Sequence, residues 1–103
     1  MTVDFFKLLT ELGLSPTETR VYLASLKLGP TSVQDIAKVA KLSRTATYDV
    51  IASLQERGLM STFERGKKNY FSAEEPERAV AYFKNRVVDL GEKIETFTRS
   101  LSE

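Results

Sequence analysis

Residues 36–54 read Ile-Ala-Lys-Val-Ala-Lys-Leu-Ser-Arg-Thr-Ala-Thr-Tyr-Asp-Val-Ile-Ala-Ser-Leu. Ile36, Ala37 and Val39 make a short apolar stripe at helical spacing, and Ser43 is a good N-cap for a second helix carrying Thr47, Val50, Ile51 and Leu54 on its buried side. Two short helices that meet across a three-residue turn predict a helix-turn-helix, in which the first helix braces the second. Lys41 stands in that turn, where glycine would adopt a positive φ without a Cβ penalty, so the turn is expected to depart from the tightest form. Ser43, Arg44, Thr45 and Tyr48 lie at the start of the second helix, outside its apolar set, and are the candidate contact residues. A guanidinium such as that of Arg44 can pair bidentately with guanine; Thr45 can meet a thymine methyl or a phosphate, and Tyr48 can donate to phosphate. Tyr48 could equally turn its ring into the core, and both readings stand at this point. Lys38 and Lys41 would flank the nucleic-acid backbone.

Working outward, residues 3–12 place Phe5, Phe6, Leu8, Leu9 and Leu12 at helical spacing, which predicts a core helix ended by Gly13. Ser15, Pro16, Thr17 and Glu18 form a capping box with proline in the first turn, and the helix they open is expected to stop at Gly29 and Pro30. Thr31 with Gln34 offers a second capping box for the helix through Ile36. Beyond Gly58, residues 59–63 and 69–73 read as extended segments joined by Glu64, Arg65, Gly66, Lys67 and Lys68. This is a β-hairpin with a basic tip. If the preceding helix occupied a major groove, Arg65, Lys67 and Lys68 would lie beside the adjacent minor groove or its phosphates, as a wing.

A last helix is predicted to begin near Pro76, with Glu74, Glu75 and Glu77 placed against the positive end of its dipole. Along it Val80, Phe83, Val87, Leu90, Ile94, Phe97 and Leu101 alternate at intervals of three and four, a heptad seam that needs a partner. A homodimer is the expectation; packing on the N-terminal helix of the same chain is the alternative, and Gly91 weakens the helix locally. The fold class predicted is therefore mainly α with a small β-hairpin: a winged helix-turn-helix over residues 1–75 and a long, coiled-coil-like dimerisation helix over residues 76–103.

Composition narrows the chemistry. The chain has 103 residues and neither cysteine nor histidine, so thiol nucleophiles, imidazole bases, disulfides and the common zinc ligand sets are excluded. No enzyme, metal or cofactor is expected. No apolar run reaches the roughly 18 residues of a membrane span, and a cytoplasmic protein is the simplest expectation. Net charge is only +1, but residues 38–68 carry seven basic residues against three acidic ones. The positive charge is thus concentrated where the helix-turn-helix and hairpin lie; a solvated face would look the same, so it is the position of the second helix and of the basic wing that favours double-stranded DNA as partner, and the near-neutral total leaves a protein-interaction role for the same fold as the alternative.

These segments together resemble the TrmB family of mainly archaeal transcription regulators, in their N-terminal winged-helix domain. The resemblance rests on the stretch from Leu12 to Pro30, on Ser-Arg-Thr-Ala-Thr-Tyr-Asp-Val-Ile-Ala-Ser-Leu from Ser43 to Leu54, and on Glu-Arg-Gly-Leu-Met from Glu56 to Met60, continuing through Tyr70 and Phe71 into the long helix. It implies a dimeric, sequence-specific regulator with its recognition helix from Ser43 to Leu54 and its wing from Arg65 to Lys68. Larger family members add a C-terminal sugar-sensing domain, so sugar control is not carried over to these 103 residues, and no effector is assigned.

Overall fold

The computed structural model describes residues 2–103. In chain order it has α1 (Phe5–Glu11), α2 (Pro16–Leu28), α3 (Val33–Ala40), α4 (Arg44–Glu56), β1 (Met60–Arg65), β2 (Lys68–Ala73) and α5 (Pro76–Leu101). This is the winged helix-turn-helix with a long C-terminal helix expected from the sequence.

The helix starts follow from side-chain capping. Ser15 Oγ accepts from the Glu18 amide while Glu18 accepts from the Ser15 amide, so two backbone donors that the helix itself leaves orphaned are satisfied reciprocally. Ser43 Oγ takes the Ala46 amide at the head of α4 in the same way. At α3 the cap is Ser32, whose hydroxyl accepts from the Asp35 amide, and not Thr31 with Gln34 as the sequence suggested. The cause is long-range. Thr31 is held extended by two backbone hydrogen bonds to Phe71, of 3.0 and 2.8 Å, which add a one-residue third strand to the hairpin and move the cap one position on.

β1 and β2 pair antiparallel from Met60 opposite Ala73 to Arg65 opposite Lys68. The loop is therefore Gly66 and Lys67 alone, shorter than the five-residue connection expected. Gly66 has φ +67° and Lys67 does not have a positive φ, the distribution a two-residue hairpin of the II′ kind requires. Ile36, Ile51, Leu54, Leu59 and Val21 are fully enclosed, so α2, α3, α4 and the base of the hairpin share one core.

α1 departs from the expectation of a core helix. It has no buried residue; Leu9 packs partly against the core, while Phe5 is 61% exposed and Phe6, Leu8 and Leu12 are exposed as well. Seven residues lying on one side of α2 leave the outer half of their apolar surface uncovered. α5 runs unbroken through Gly91, but only Ala79 is buried, with Tyr82 and Phe83 partly so. The seam does not fold back: Val87, Ile94, Phe97 and Leu101 are all between 64% and 71% exposed. Among the described residues no helix is long and apolar enough to cross a membrane.

Glu18 is the one carboxylate the fold encloses, at 6% exposure. Burial pushes its pKa up, yet the Ser15 amide, the Ser53 hydroxyl at 2.7 Å and the Arg57 guanidinium at 3.2 Å outweigh burial and hold it below the ordinary carboxylate value. A depressed folded-state pKa contributes stability that is present above the unfolded value and is lost as pH falls through the folded one. Glu18→Gln is accordingly expected to cost about 1 to 3 kcal/mol near neutrality. The gap to the parent should close as pH drops below about 4.3. Thermal melts of both proteins across pH check this, and a gap independent of pH would refute it.

Candidate nucleic-acid interface

Helix α4, the second of the helix-turn-helix, has only one face to spend on the core: Thr47, Ile51 and Leu54 are buried, with Val50 packed beside them. Its first turn is left outward. Arg44 and Thr45 are exposed, and Ser43, though exposed, uses its oxygen as the cap, which leaves its hydroxyl hydrogen free to donate. Thr47 Oγ1 donates back to the Ser43 carbonyl at 2.8 Å, so the buried hydroxyl beneath this turn is satisfied.

Tyr48 packs its ring and yet stays open to solvent. Its ring stands edge-on to Phe71, with centroids 6.0 Å apart and planes at 77°, while 42% of the residue is exposed. Packing against the hairpin fixes the ring and presents the rest of it outward. The Arg44 guanidinium lies 5.9 Å from the ring centroid, within cation–π range. Arginine and tyrosine are thus a stacked pair one turn apart.

That pair lines an open trough together with Thr31, Ser32, Gln34 and Asp35 from the head of α3 and with Lys67, Lys68, Asn69 and Tyr70 from the hairpin. Phe63 and Tyr70 stack across the hairpin at 6.0 Å and stiffen its stem. Of the residues singled out in the sequence, Arg44, Tyr48, Lys67 and Lys68 are brought together here. Arg65 ends β1 on the solvent side, opposite Lys68 in the register. Lys38 is exposed in the last turn of α3, and Lys41 borders a different, shallower groove with Phe6, Arg20 and Lys27. None of these basic residues from Lys38 to Lys68 forms an ion pair among the described residues apart from Arg57, which binds Glu18. Their charge faces solvent.

Two features escaped the sequence. Asp35 places a carboxylate in the basic trough, held by a 2.7 Å hydrogen bond from Thr31 Oγ1. A carboxylate there opposes a phosphate and can accept from an amino group such as cytosine N4. The second is Arg20, on α2, whose Nε and Nη2 donate to the Ala40 carbonyl at 3.0 and 2.6 Å, with Nη2 also donating to the Lys41 carbonyl at 2.8 Å. Lys41 is nonetheless left-handed, φ 57° and ψ 48°: the turn keeps the tight form that the sequence reading did not expect of a lysine, and accepts a Cβ in the left-handed region. Arg20 satisfies the carbonyls at the end of α3 and clamps that turn, and the turn fixes where α4 begins.

Comparison with known proteins agrees with this geometry. A family model described as "Sugar-specific transcriptional regulator TrmB" matches residues 8–77. The HTH-type sugar sensing transcriptional regulator TrmBL1 of Pyrococcus furiosus is 35% identical over 57 residues, which span 55% of this chain and 17% of that protein. TrmBL2, described as an archaeal chromatin protein with a novel mode of DNA binding, superposes with a TM-score of 0.81 at 25% identity, over 95% of this chain and 39% of that one. A possible transcriptional regulator from Methanosarcina mazei shares the fold with a TM-score of 0.76 at 11% identity, over 93% of this chain and 86% of that one.

The Arg20 clamp is testable without nucleic acid. Arg20→Met should lower stability by about 1.5 to 3 kcal/mol, the scale of hydrogen bonds made by a charged donor. It should also speed amide exchange at Lys41 and Leu42, whose N–H groups bond to the Lys38 and Ala37 carbonyls. Unchanged exchange at those two amides would mean that the turn holds itself.

Proposed function

Since the chain belongs to the TrmB family of transcriptional regulators, we propose that it binds double-stranded DNA sequence-specifically as a homodimer, with α4 in the major groove and the hairpin on the adjacent minor groove or backbone. The observation that carries this reading is the trough: Arg44 and Tyr48 at the head of α4 line one open channel with Lys67, Lys68, Asn69 and Tyr70 of the wing. Bases and backbone are then addressed by different residues. Arg44 is the base reader, steadied by the Tyr48 ring; Ser43, Thr45, Lys38, Lys41, Arg65, Lys67 and Lys68 hold phosphates and set register. The function is binding, with no catalytic step and no cofactor, in the cytoplasm.

The chain divides in this reading into a DNA-reading part, residues 1–75, and a dimerisation helix, residues 76–103. Val80, Phe83, Val87, Leu90, Ile94, Phe97 and Leu101 form the interface with a second copy. Support comes from the exposure of this stripe in the single chain: Val80, Val87, Leu90, Ile94, Phe97 and Leu101 all face solvent. A row of large apolar side chains at heptad spacing gains most of its burial energy only when a second helix covers it.

Selection of duplexes from a random pool at near-physiological salt is the first test. Enrichment of an inverted repeat with half-sites about one helical turn apart is the expected result. Retention without enrichment would point to nonspecific coating of DNA, and no retention to a protein-interaction role. On the enriched site, Arg44→Ala should cost about 1 to 3 kcal/mol and relax preference at one base pair. The Lys67→Ala, Lys68→Ala double variant should weaken all sequences alike and make the salt dependence shallower by roughly 2 in log–log slope. Leu90→Asp should yield a folded monomer by sedimentation; a folded dimer would remove the seam from the interface.

A further inference from the structure

α5 is joined to the rest of the chain over a short length. Ala79 is buried and Tyr82 and Phe83 are partly buried, but every residue from 84 onward is exposed. The 18 residues from Lys84 to Leu101 therefore project as a free arm of about 27 Å at the α-helical rise. Tilting such an arm by about 10° moves its end by roughly 5 Å, more than the 3.4 Å step between neighbouring bases on a strand. In the homodimer proposed above the arm is held by its partner, so the same tilt moves the reading heads instead. Small changes at the joint become whole base pairs at the DNA.

One polar tie crosses that joint. Arg57, the residue that caps the C-terminus of α4, donates from its terminal guanidinium nitrogen to the Tyr82 hydroxyl at 2.5 Å, and its guanidinium carbon lies 5.8 Å from the Tyr82 ring centroid. Among the described residues this is the one side-chain hydrogen bond from α5 to the helices and hairpin of the body; the ion pair of α5, Arg78 with Glu74, is made to the segment just before it. Arg57 is not free to follow α5. Its Nε is bound to Glu18, which is itself fixed by the Ser15 amide and the Ser53 hydroxyl. Tyr82 is steadied in turn by the Phe83 ring, edge-on at 5.1 Å, and Phe83 packs on the core. The tie therefore fastens α5 to the rear end of the very helix whose front end meets DNA.

We propose that Arg57 and Tyr82 are positioning residues that fix the angle between α4 and α5 and thereby set which spacing between two half-sites the homodimer accepts. The inference rests on the homodimer reading, and neither residue touches the trough that reads bases.

Tyr82→Phe is the informative change, because it keeps the ring against Phe83 and leaves the Arg57 to Glu18 pair intact while deleting the hydroxyl. Binding is measured to duplexes carrying the selected half-sites at the preferred spacing and with one or two base pairs added or removed. The parent chain should favour one spacing. Tyr82→Phe should remain dimeric by sedimentation and keep its base preference within a half-site, while its discrimination between spacings falls about tenfold, the scale of one hydrogen bond from a charged donor. Leu9→Ala, which removes apolar packing at the other side of the core without touching α5, Arg57 or Glu18, should keep the parental spacing profile and so separates joint geometry from general destabilisation. An unchanged profile in dimeric Tyr82→Phe, equal flattening in Leu9→Ala, or a dimeric parent that binds all spacings equally overturns the positioning role and leaves the homodimer standing. A parent chain that is monomeric overturns both.

Discussion

An ionised carboxylate enclosed by protein must be paired on all sides, and Glu18 is where this fold meets that demand. One oxygen accepts the Ser15 amide and closes the cap of α2; the other accepts from Ser53 and faces Arg57 at the far end of α4. A buried ion pair is a poor source of net stability, because desolvation cancels most of its Coulombic gain. What it supplies is geometry. Two helices can slide along one another over a purely apolar contact at little cost, but this carboxylate loses its partners if α4 shifts against α2.

The other end of α4 is held in a comparable way, again from α2. Arg20 reaches the carbonyls of Ala40 and Lys41 and fixes the left-handed turn out of which α4 starts. Helix α4 is thus pinned at its start by an arginine of α2 and at its finish by a carboxylate of α2, two residues apart in sequence. Between the pins it needs only Thr47, Ile51 and Leu54 in the core. A helix anchored by its ends can leave the rest of its circumference polar, and that is the condition for presenting Arg44, Thr45 and Tyr48 to a charged surface.

What could be read in the sequence and what could not divides along the range of the interactions. The caps at Ser15 and Ser43 involve residues three apart, so their chemistry is written in adjacent letters, and the structure has both. The turn at Lys41 went the other way: the lysine suggested an opened turn, yet Arg20, 21 positions away, holds the left-handed form. The cap of α3 was misplaced by one residue because Thr31 is claimed by Phe71, 40 positions away, in a pairing that no local pattern announces. The hairpin loop looked long because charged residues near a turn resemble loop; strand pairing of Arg65 with Lys68 leaves only the glycine and its neighbour to turn the chain. α1 carries the apolar pattern of a core helix, yet periodicity reports that a face is apolar and not how much of it the rest of the chain can cover. Arg20 acts through carbonyls 20 and 21 positions away and Asp35 lines the trough only because α3 is packed beside the hairpin, and nothing in their neighbours in sequence distinguishes them from ordinary surface charges.

The near-neutral net charge becomes intelligible in the same terms. A strongly basic chain of this size would repel its own second copy and hold any polyanion indiscriminately. Here the excess of positive charge lies in residues 38–68, and the remainder of the chain, including the acidic residues of α5, is net negative. In the proposed reading the trough that gathers Arg44, Lys67 and Lys68 would attract phosphate, and the Asp35 carboxylate in the same trough would penalise it at one point. Discrimination between DNA sequences requires such local penalties, since a surface that only attracts cannot tell one duplex from another. The folding of α3 supplies this one: Thr31 pairs with Phe71 through its backbone, its hydroxyl is thereby placed to hold the Asp35 carboxylate, and an acidic group is fixed beside Arg44 where the sequence alone shows only a helix cap.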